Sequence, residues 1–342
     1  MVEALAATVV IPALNEAQWI RDCIDSIRAG DRQDIEIVVI DGCSTDATPE
    51  IVRAISAQDE RVRLVQNPGR TAASSMNVGL KEMATEILVR ADAHAVYAPD
   101  FVRRNLEVLE QSGATVVGGP MVPVGTTRFG RAVAAVTTTR IGMGNGAFHW
   151  ADRPRSVDTV YLGCYRRTDL EAVGGWDDEG LQRAAEDQEI NFRIRRGGGR
   201  IVCDPSIRSW YYPRDTPRAL WKQYLNYGLC KASTSKKHGR PPTVRSIVPA
   251  MFVAGTVVGF GTSITLRKVW PLTPAVAWTV VVSTAAHRLA RAPGVDRPRA
   301  FLALAICHVG HGVGFLRGLG RIALGSEFDT GPGVGHVGPN PG

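Results

Sequence analysis

The sequence predicts an α/β fold of the doubly wound kind, followed by apolar C-terminal helices long enough to cross a membrane. Three observations carry that prediction. Short apolar runs alternate with helical periodicity from Thr8 to Leu109. Two of these runs close on polar residues, Asp41 in one case and Asp92 with His94 in the other. After Ile247 charge disappears over long stretches.

The first run is Thr8-Val9-Val10-Ile11-Pro12, read as a strand, and Ile20, Cys23, Ile24 and Ile27 repeat at the spacing of one buried helix face. Asn15 stands between them as a candidate helix cap. Ile35 to Ile40 is β-branched and apolar on both faces, as a central parallel strand is, and ends on Asp41-Gly42. Pro49 suits the first turn of the next helix. Val62 to Val65 is a third strand, Asn67-Pro68-Gly69 a turn, and Met76, Leu80 and Met83 mark a helix. Ile87-Leu88-Val89 is the strand that leads into Arg90-Ala91-Asp92-Ala93-His94.

Chemistry in such folds gathers beyond the carboxyl ends of the strands. If the segment stays extended, Asp92 and His94 share a face and suit a divalent cation or a phosphate-rich ligand. A polar turn that merely ends the strand gives the same pattern.

Val102, Leu106 and Leu109 define a further helix; Thr115 to Val124 and Val157 to Tyr165 read as strands. Residues 128–148 are Gly-bearing and small, and take no assignment. Gly174-Gly175-Trp176-Asp177 is a tight turn, Glu186-Asp187 opens a helix that stops at Gly197, and Arg200 to Cys203 reads as the last strand. Carboxylates in a first turn also serve simply as partners of the helix dipole. Thr216-Pro217 caps a helix with aromatics on one side and Arg218, Lys222, Lys231, Lys236 and Lys237 on the other. That pattern fits a membrane surface and equally a packed amphipathic helix.

Ile247 to Leu266 and Val269 to Ala286 carry no charge, and Ala300 to Leu316 is a third, less apolar run. Twenty helical residues at about 1.5 Å each span the roughly 30 Å hydrocarbon layer. The loop with Arg288, Arg291, Arg297 and Arg299 is expected on the cytoplasmic side, consistent with three crossings, although Arg267 and Lys268 leave a re-entrant first pair open. His308 and His311 read as a polar packing face. The expected organisation is a cytosolic catalytic domain over 1–240, a membrane region over 241–325 and a disordered Gly/Pro-rich tail over 326–342.

At 342 residues and a net charge of +7 the chain suits a phosphorylated substrate or anionic lipid. No nucleic-acid module accompanies the charge, so nucleic acid is not expected as a partner. The six cysteines are scattered without a CxxC pair and read as reduced thiols. Met1 to Ala7 lacks a basic region ahead of an apolar run, so no signal peptide is expected.

Val10 to Glu16, Val39 to Asp46, Asn67 to Asn77, Asp92-Ala93-His94 and Glu186-Asp187 occur in the order and spacing of family-2 glycosyltransferases. The resemblance covers roughly residues 8 to 235 and is similar to membrane-attached exopolysaccharide enzymes of the succinoglycan type. It implies a GT-A-type nucleotide-sugar-binding domain, a nucleotide-diphosphate sugar donor (a UDP-sugar first) and a divalent cation, Mn²⁺ or Mg²⁺. It also implies inversion at the anomeric carbon, with a saccharide acceptor, free or lipid-linked, at the cytoplasmic membrane.

Carried over by position, Pro12 and Glu16 line the nucleoside pocket, Asp41 accepts from the base and Arg70 contacts the donor. Asp92 begins the Asp-x-Asp metal motif, His94 stands at its metal-ligating position, Asp187 is the catalytic base and Glu186 a substrate contact. His94 departs from the family's carboxylate; imidazole suits Mn²⁺ better than Mg²⁺, so His94 either shifts the metal preference or holds the metal less tightly. Arg218, Trp221 and Gln223 match a Gln-x-x-Arg-Trp element only loosely and take no role. Two other readings stay open: a polyprenyl-phosphate sugar synthase, and a non-catalytic nucleotide-sugar-binding membrane protein.

Overall fold

The computed structural model describes residues 6–144, 146–178, 186–241 and 243–325. The chain divides into two compact units, one built from residues 6–122 and 146–211, the other from 123–144 and 212–325. The expected tail over 326–342 lies outside the described residues.

The first unit begins with β1 (Ala7–Ala13), α1 (Ile20–Arg28), β2 (Ile35–Asp41), α2 (Thr48–Ser56), β3 (Val62–Gln66), α3 (Ala72–Glu82) and β4 (Ile87–Arg90). β3, β2, β1 and β4 lie side by side and parallel. Val9, Ile11, Ile37 and Val39 face one core cluster while Val10, Val38 and Ile40 face another. Period-two alternation with both faces apolar is what a sheet covered on both sides demands.

The chain continues through β5 (Ala95–Tyr97), α4 (Phe101–Ser112), β6 (Val116–Gly119) and the short β7 (Val122–Pro123). It then enters the second unit with α5 (Arg128–Thr137) and α6 (Arg140–Met143), the stretch left unassigned from sequence. Back in the first unit come β8 (Arg155–Ser156), β9 (Tyr161–Arg166), α7 (Arg167–Ala172), α8 (Glu186–Arg196), β10 (Ile201–Cys203) and β11 (Ser209–Tyr211).

Beyond β4 the main sheet becomes mixed, because β9 inserts antiparallel between β4 and β6. β10 is not the last strand, since β11 pairs antiparallel with β5. Nor does Asn15 cap α1, whose N-cap position is Trp19.

The second unit adds α9 (Pro217–His238), α10 (Val248–Leu266), α11 (Thr273–Leu289), α12 (Arg297–Ala305) and α13 (His311–Ala323). Thr216 caps α9 as expected, accepting from the Ala219 N–H. Phe129, Val133, Leu220, Tyr224, Val282, Ala286, Ala300 and Leu304 form the core among α5, α9, α11 and α12. The two histidines are packing residues: Trp278 Nε1 donates to His308 Nδ1 at 3.1 Å, and His308 Nε2 donates to the Ile141 carbonyl at 2.7 Å. His311 Nε2 lies 3.2 Å from the Ser246 carbonyl. Two helical stretches, Val244–Leu266 and Arg297–Ala323, are long and apolar enough to cross a membrane; α11 has 17 residues.

Candidate active site

The carboxyl ends of β1, β2 and β3 deliver three non-glycine residues in the left-handed region, Asn15 (φ 58°), Cys43 (φ 59°) and Arg70 (φ 58°). Each such residue costs on the order of 1–3 kcal/mol and persists only where its surroundings impose it. Here the surroundings are hydrogen bonds. Asn15 Oδ1 accepts from the Thr45 N–H at 2.8 Å, and the Asn15 N–H donates to Ser44 Oγ at 2.8 Å. Asp46 accepts from the Ala17 N–H, and the Glu16 N–H donates to Thr48 Oγ1. Asn67 holds the third loop, donating to Ser74 Oγ and Ser75 Oγ while accepting from the Gly69 N–H. Thr71 and Ser74 then form a capping box at the start of α3.

Within this frame Asp41 is buried at the end of β2 and accepts from the Ser44 N–H at 3.1 Å. Pro12 is half-buried in β1, Glu16 is buried just beyond it, and Arg70 is exposed.

The segment after β4 is a turn and not extended chain: the Ala95 N–H closes on the Asp92 carbonyl at 3.1 Å. Asp92 and His94 therefore do not share a face by strand alternation. Tyr97 braces the turn, its hydroxyl accepting from the Asp92 N–H (2.6 Å) and donating to the Asp92 carbonyl (3.0 Å). His94 Nδ1 lies 3.2 Å from Glu16 Oε1, and Glu16 Oε2 is buried with no partner. Asp92 Oδ1 takes Arg90 Nε at 3.1 Å.

Arg90 is the residue the sequence reading left without a role, and it is the hub of the site. Buried at the end of β4, it donates to Asp92, to Glu186 Oε1 at 3.0 Å and to Asp187 Oδ1. Glu186 and Asp187, two of the three acidic residues of α8, are thereby brought to the loop after β4. A charged residue closing an apolar strand was the only hint in the sequence.

One guanidinium cannot neutralise three carboxylates. Burial pushes the Asp187 carboxyl up to about 7 against the pull of Arg90, with Glu186 and Asp92 adding to the rise. Burial also pushes Asp92 up, but Arg90 and then His94 hold it below the usual carboxylate range. Asp187 keeps 19% of its side-chain exposure, so the raised carboxyl remains reachable. Upstream, Asn77 clamps the turn that precedes α8, donating to the Trp176 carbonyl and accepting from its N–H, both at 2.8 Å. Gly175, at φ 71°, leaves the room that Asn77 occupies: a Cβ there would lie 2.6 Å from Asn77 Oδ1.

Among the described residues no three His, Cys, Asp or Glu side chains converge as a metal cage. The groups present are one imidazole, the Asp92 carboxylate and the unpartnered Glu16 oxygen. That set fits a cation held in large part by the phosphate oxygens of its own ligand, and does not fit a structural ion.

Parallel strands ending in polar loops, with a carboxylate beside them, form the edge at which open α/β enzymes bind their ligands. Residues 8–173 match the glycosyl transferase family 2. The chain is 30% identical over 282 residues to the succinoglycan biosynthesis protein ExoA of Rhizobium meliloti, covering 80% of this chain and 82% of that one. It is 24% identical over 240 residues to a dolichyl N-acetyl-α-D-glucosaminyl phosphate 3-β-D-2,3-diacetamido-2,3-dideoxy-β-D-glucuronosyltransferase of Methanococcus voltae, covering 67% and 74%. Its fold is similar to that of the mannosyltransferase PcManGT of Pyrobaculum calidifontis, solved with GDP-Man and Mn²⁺, with a TM-score of 0.55 over 91% of this chain and 88% of that one at 20% identity. The chain belongs to glycosyl transferase family 2, with the GT-A-like α/β fold and the glycosyltransferase activity of that family.

Proposed function

We propose that this glycosyltransferase builds a polysaccharide or glycolipid, moving a sugar from a nucleotide-diphosphate donor to a lipid-linked saccharide at the cytosolic face of a membrane. The observation that carries this reading is the Arg90 cluster, which sets two α8 carboxylates beside the loop that follows β4. The relatives with names in succinoglycan synthesis and lipid-linked saccharide transfer support the same acceptor class.

Asp187 is the base. Its carboxylate takes the proton of the acceptor hydroxyl, the hydroxyl oxygen bonds to the anomeric carbon from the face opposite the donor phosphate, and the carbon–oxygen bond to that phosphate breaks. The nucleoside diphosphate leaves with the electron pair, and the configuration inverts. A hydroxyl needs its base within hydrogen-bond reach, and a carboxyl with a pKa near the working pH suits the task. Asp41, Pro12 and Glu16 hold the nucleoside; Arg70 and Asp92 face the donor. A divalent cation, Mn²⁺ before Mg²⁺, would sit with His94 and Asp92 and supply Lewis-acid neutralisation of the departing diphosphate. Glu16 fixes the tautomer of His94: a proton on Nδ1 directed at the carboxylate makes Nε2 the lone-pair side.

The test is direct. Full-length protein in detergent is offered UDP- and GDP-sugars, with and without Mn²⁺, together with a lipid extract, and products are read by mass spectrometry. Transfer to a lipid-linked saccharide is expected. A product in which sugar joins a bare polyprenyl phosphate would replace this reading.

A further inference from the structure

We propose that α10 and α11 alone cross the membrane, as a two-helix hairpin, while the apolar helix formed by α12 and α13 lies at the surface from which the hairpin starts. This rests on the membrane-attached reading above and goes beyond it by fixing which segments enter lipid and where residue 324 stands.

α10 carries no charge along its length. Its large apolar side chains point outward: Met251 is 68% exposed, Val257 67% and Phe260 60%. Water is a poor solvent for such a surface and hydrocarbon a good one. Its 19 residues, at about 1.5 Å each, match the roughly 30 Å layer. α11 returns beside it. Phe252 stacks on Trp278 with ring centroids 5.0 Å apart, and a Cβ on Gly259 would lie 2.4 Å from the Pro271 carbonyl oxygen. The tip carries Arg267, Lys268 and Trp270, side chains suited to the far headgroup layer.

α12 and α13 are different in kind, although their combined length and composition also pass for a span. Half of that apolar window is buried within the second unit, α12 against α11 and α5 and α13 against α9 and the start of α10. α12 packs on α5, and Arg131 of α5 donates to the Gly294 carbonyl just before α12. α13 runs alongside α9 in the same direction. Trp221 and Tyr224 lie against Gly310, a Cβ on Gly314 would fall 2.0 Å from the Leu225 carbonyl oxygen, and one on Gly318 would fall 2.5 Å from the Ala232 Cβ. Backbones this close move together. A crossing by α13 would carry α9, with Arg218, Lys222, Lys231, Lys236 and Lys237, into hydrocarbon, where such groups are strongly disfavoured. Where α13 meets α10 it meets the base of the hairpin: a Cβ on Gly312 would touch the Pro249 carbonyl and Val253.

The cation balance gives the orientation. Arg288, Arg291, Arg297 and Arg299 join the α9 lysines at the base against Arg267 and Lys268 at the tip, so the base is cytosolic. Two crossings leave Leu324 on that side; three would export it.

Single Val269→Cys and Leu324→Cys variants of the full chain test this, at positions 82% and 83% exposed. A membrane-impermeant maleimide is applied to intact bacterial spheroplasts and again after lysis, with the parent chain as background and donor turnover as the folding control. Val269→Cys is expected to react in intact spheroplasts several-fold above background, and Leu324→Cys only after lysis. Reaction of Leu324→Cys from outside, or silence of Val269→Cys there, overturns the hairpin. Release of the parent chain by carbonate washing is a separate result, and overturns the membrane reading itself.

Discussion

Two buried charge settings lie at the ends of neighbouring strands, and they are opposites. Around Arg90 three carboxylates converge on one guanidinium and bind α8 to the loop after β4. Around Glu16 one oxygen meets His94 at 3.2 Å while the other is buried with no partner. A buried carboxylate oxygen without a partner is costly in low dielectric. In the first setting every carboxylate has a partner, and it holds the proposed base; in the second one oxygen lacks a partner, and it is the proposed ligand side.

The largest expected effect comes from the first setting. Asp187→Asn removes the proposed base while keeping shape, and transfer should fall by roughly 10²–10⁴-fold while donor affinity changes only a few-fold. Calorimetric donor titration beside a radiolabelled transfer assay measures both, and near-normal transfer would sink the assignment. Arg90→Met comes next. It leaves three carboxylates buried around an apolar side chain, and breaking a buried ion pair of this kind costs about 3–5 kcal/mol. A clearly lowered denaturation midpoint is expected, with Arg90→Lys recovering part of the stability but less of the rate. Equal stability in all three proteins would mean the cluster is not what holds α8.

The second setting is probed by Glu16→Gln. If Glu16 orients His94 toward a cation, the Mn²⁺ needed for half-activation should rise about 10–100-fold with little change in donor KM. A raised donor KM at unchanged Mn²⁺ dependence would instead assign Glu16 to the nucleoside alone. His94→Asp sharpens the same point. It should keep activity and shift preference toward Mg²⁺, whereas an Asp variant poorer than His94→Ala under every condition would exclude His94 as a ligand.

The smallest effect is in pH. As the proposed base Asp187 would work as a carboxylate, and burial pushes its pKa up to about 7. The rate should therefore rise with pH through about 7 and level off above it. Glu186→Gln removes a negative neighbour that raises this pKa, so the rising limb should move to lower pH. A limb that stays in place would show that Glu186 does not contribute to the rise.

β1 to β4 and their order along the chain were legible because the pattern that makes them is local, whereas the short β5 and β11 left no apolar run. β1, β2 and β3 announce themselves through apolar runs, and Asp41, Asp92 and Asp187 became candidates through the motifs around them. Alternation and turn chemistry act between near neighbours and leave a mark in the string of letters. Other features had no such mark. β9 is buried like its neighbours whichever way it runs, so its antiparallel insertion was invisible. Asp92 and His94 were expected on one face, but that holds only for extended chain, and the segment turns. Hydropathy passes both α10 and the α12–α13 helix as long and apolar enough to cross a membrane, since it counts apolar atoms and not what they touch. Arg90 and Asp187 are 97 positions apart. Periodicity reports which way a side chain faces; which carboxylates share a guanidinium depends on how distant elements close on one another, and that is settled only when the chain has packed.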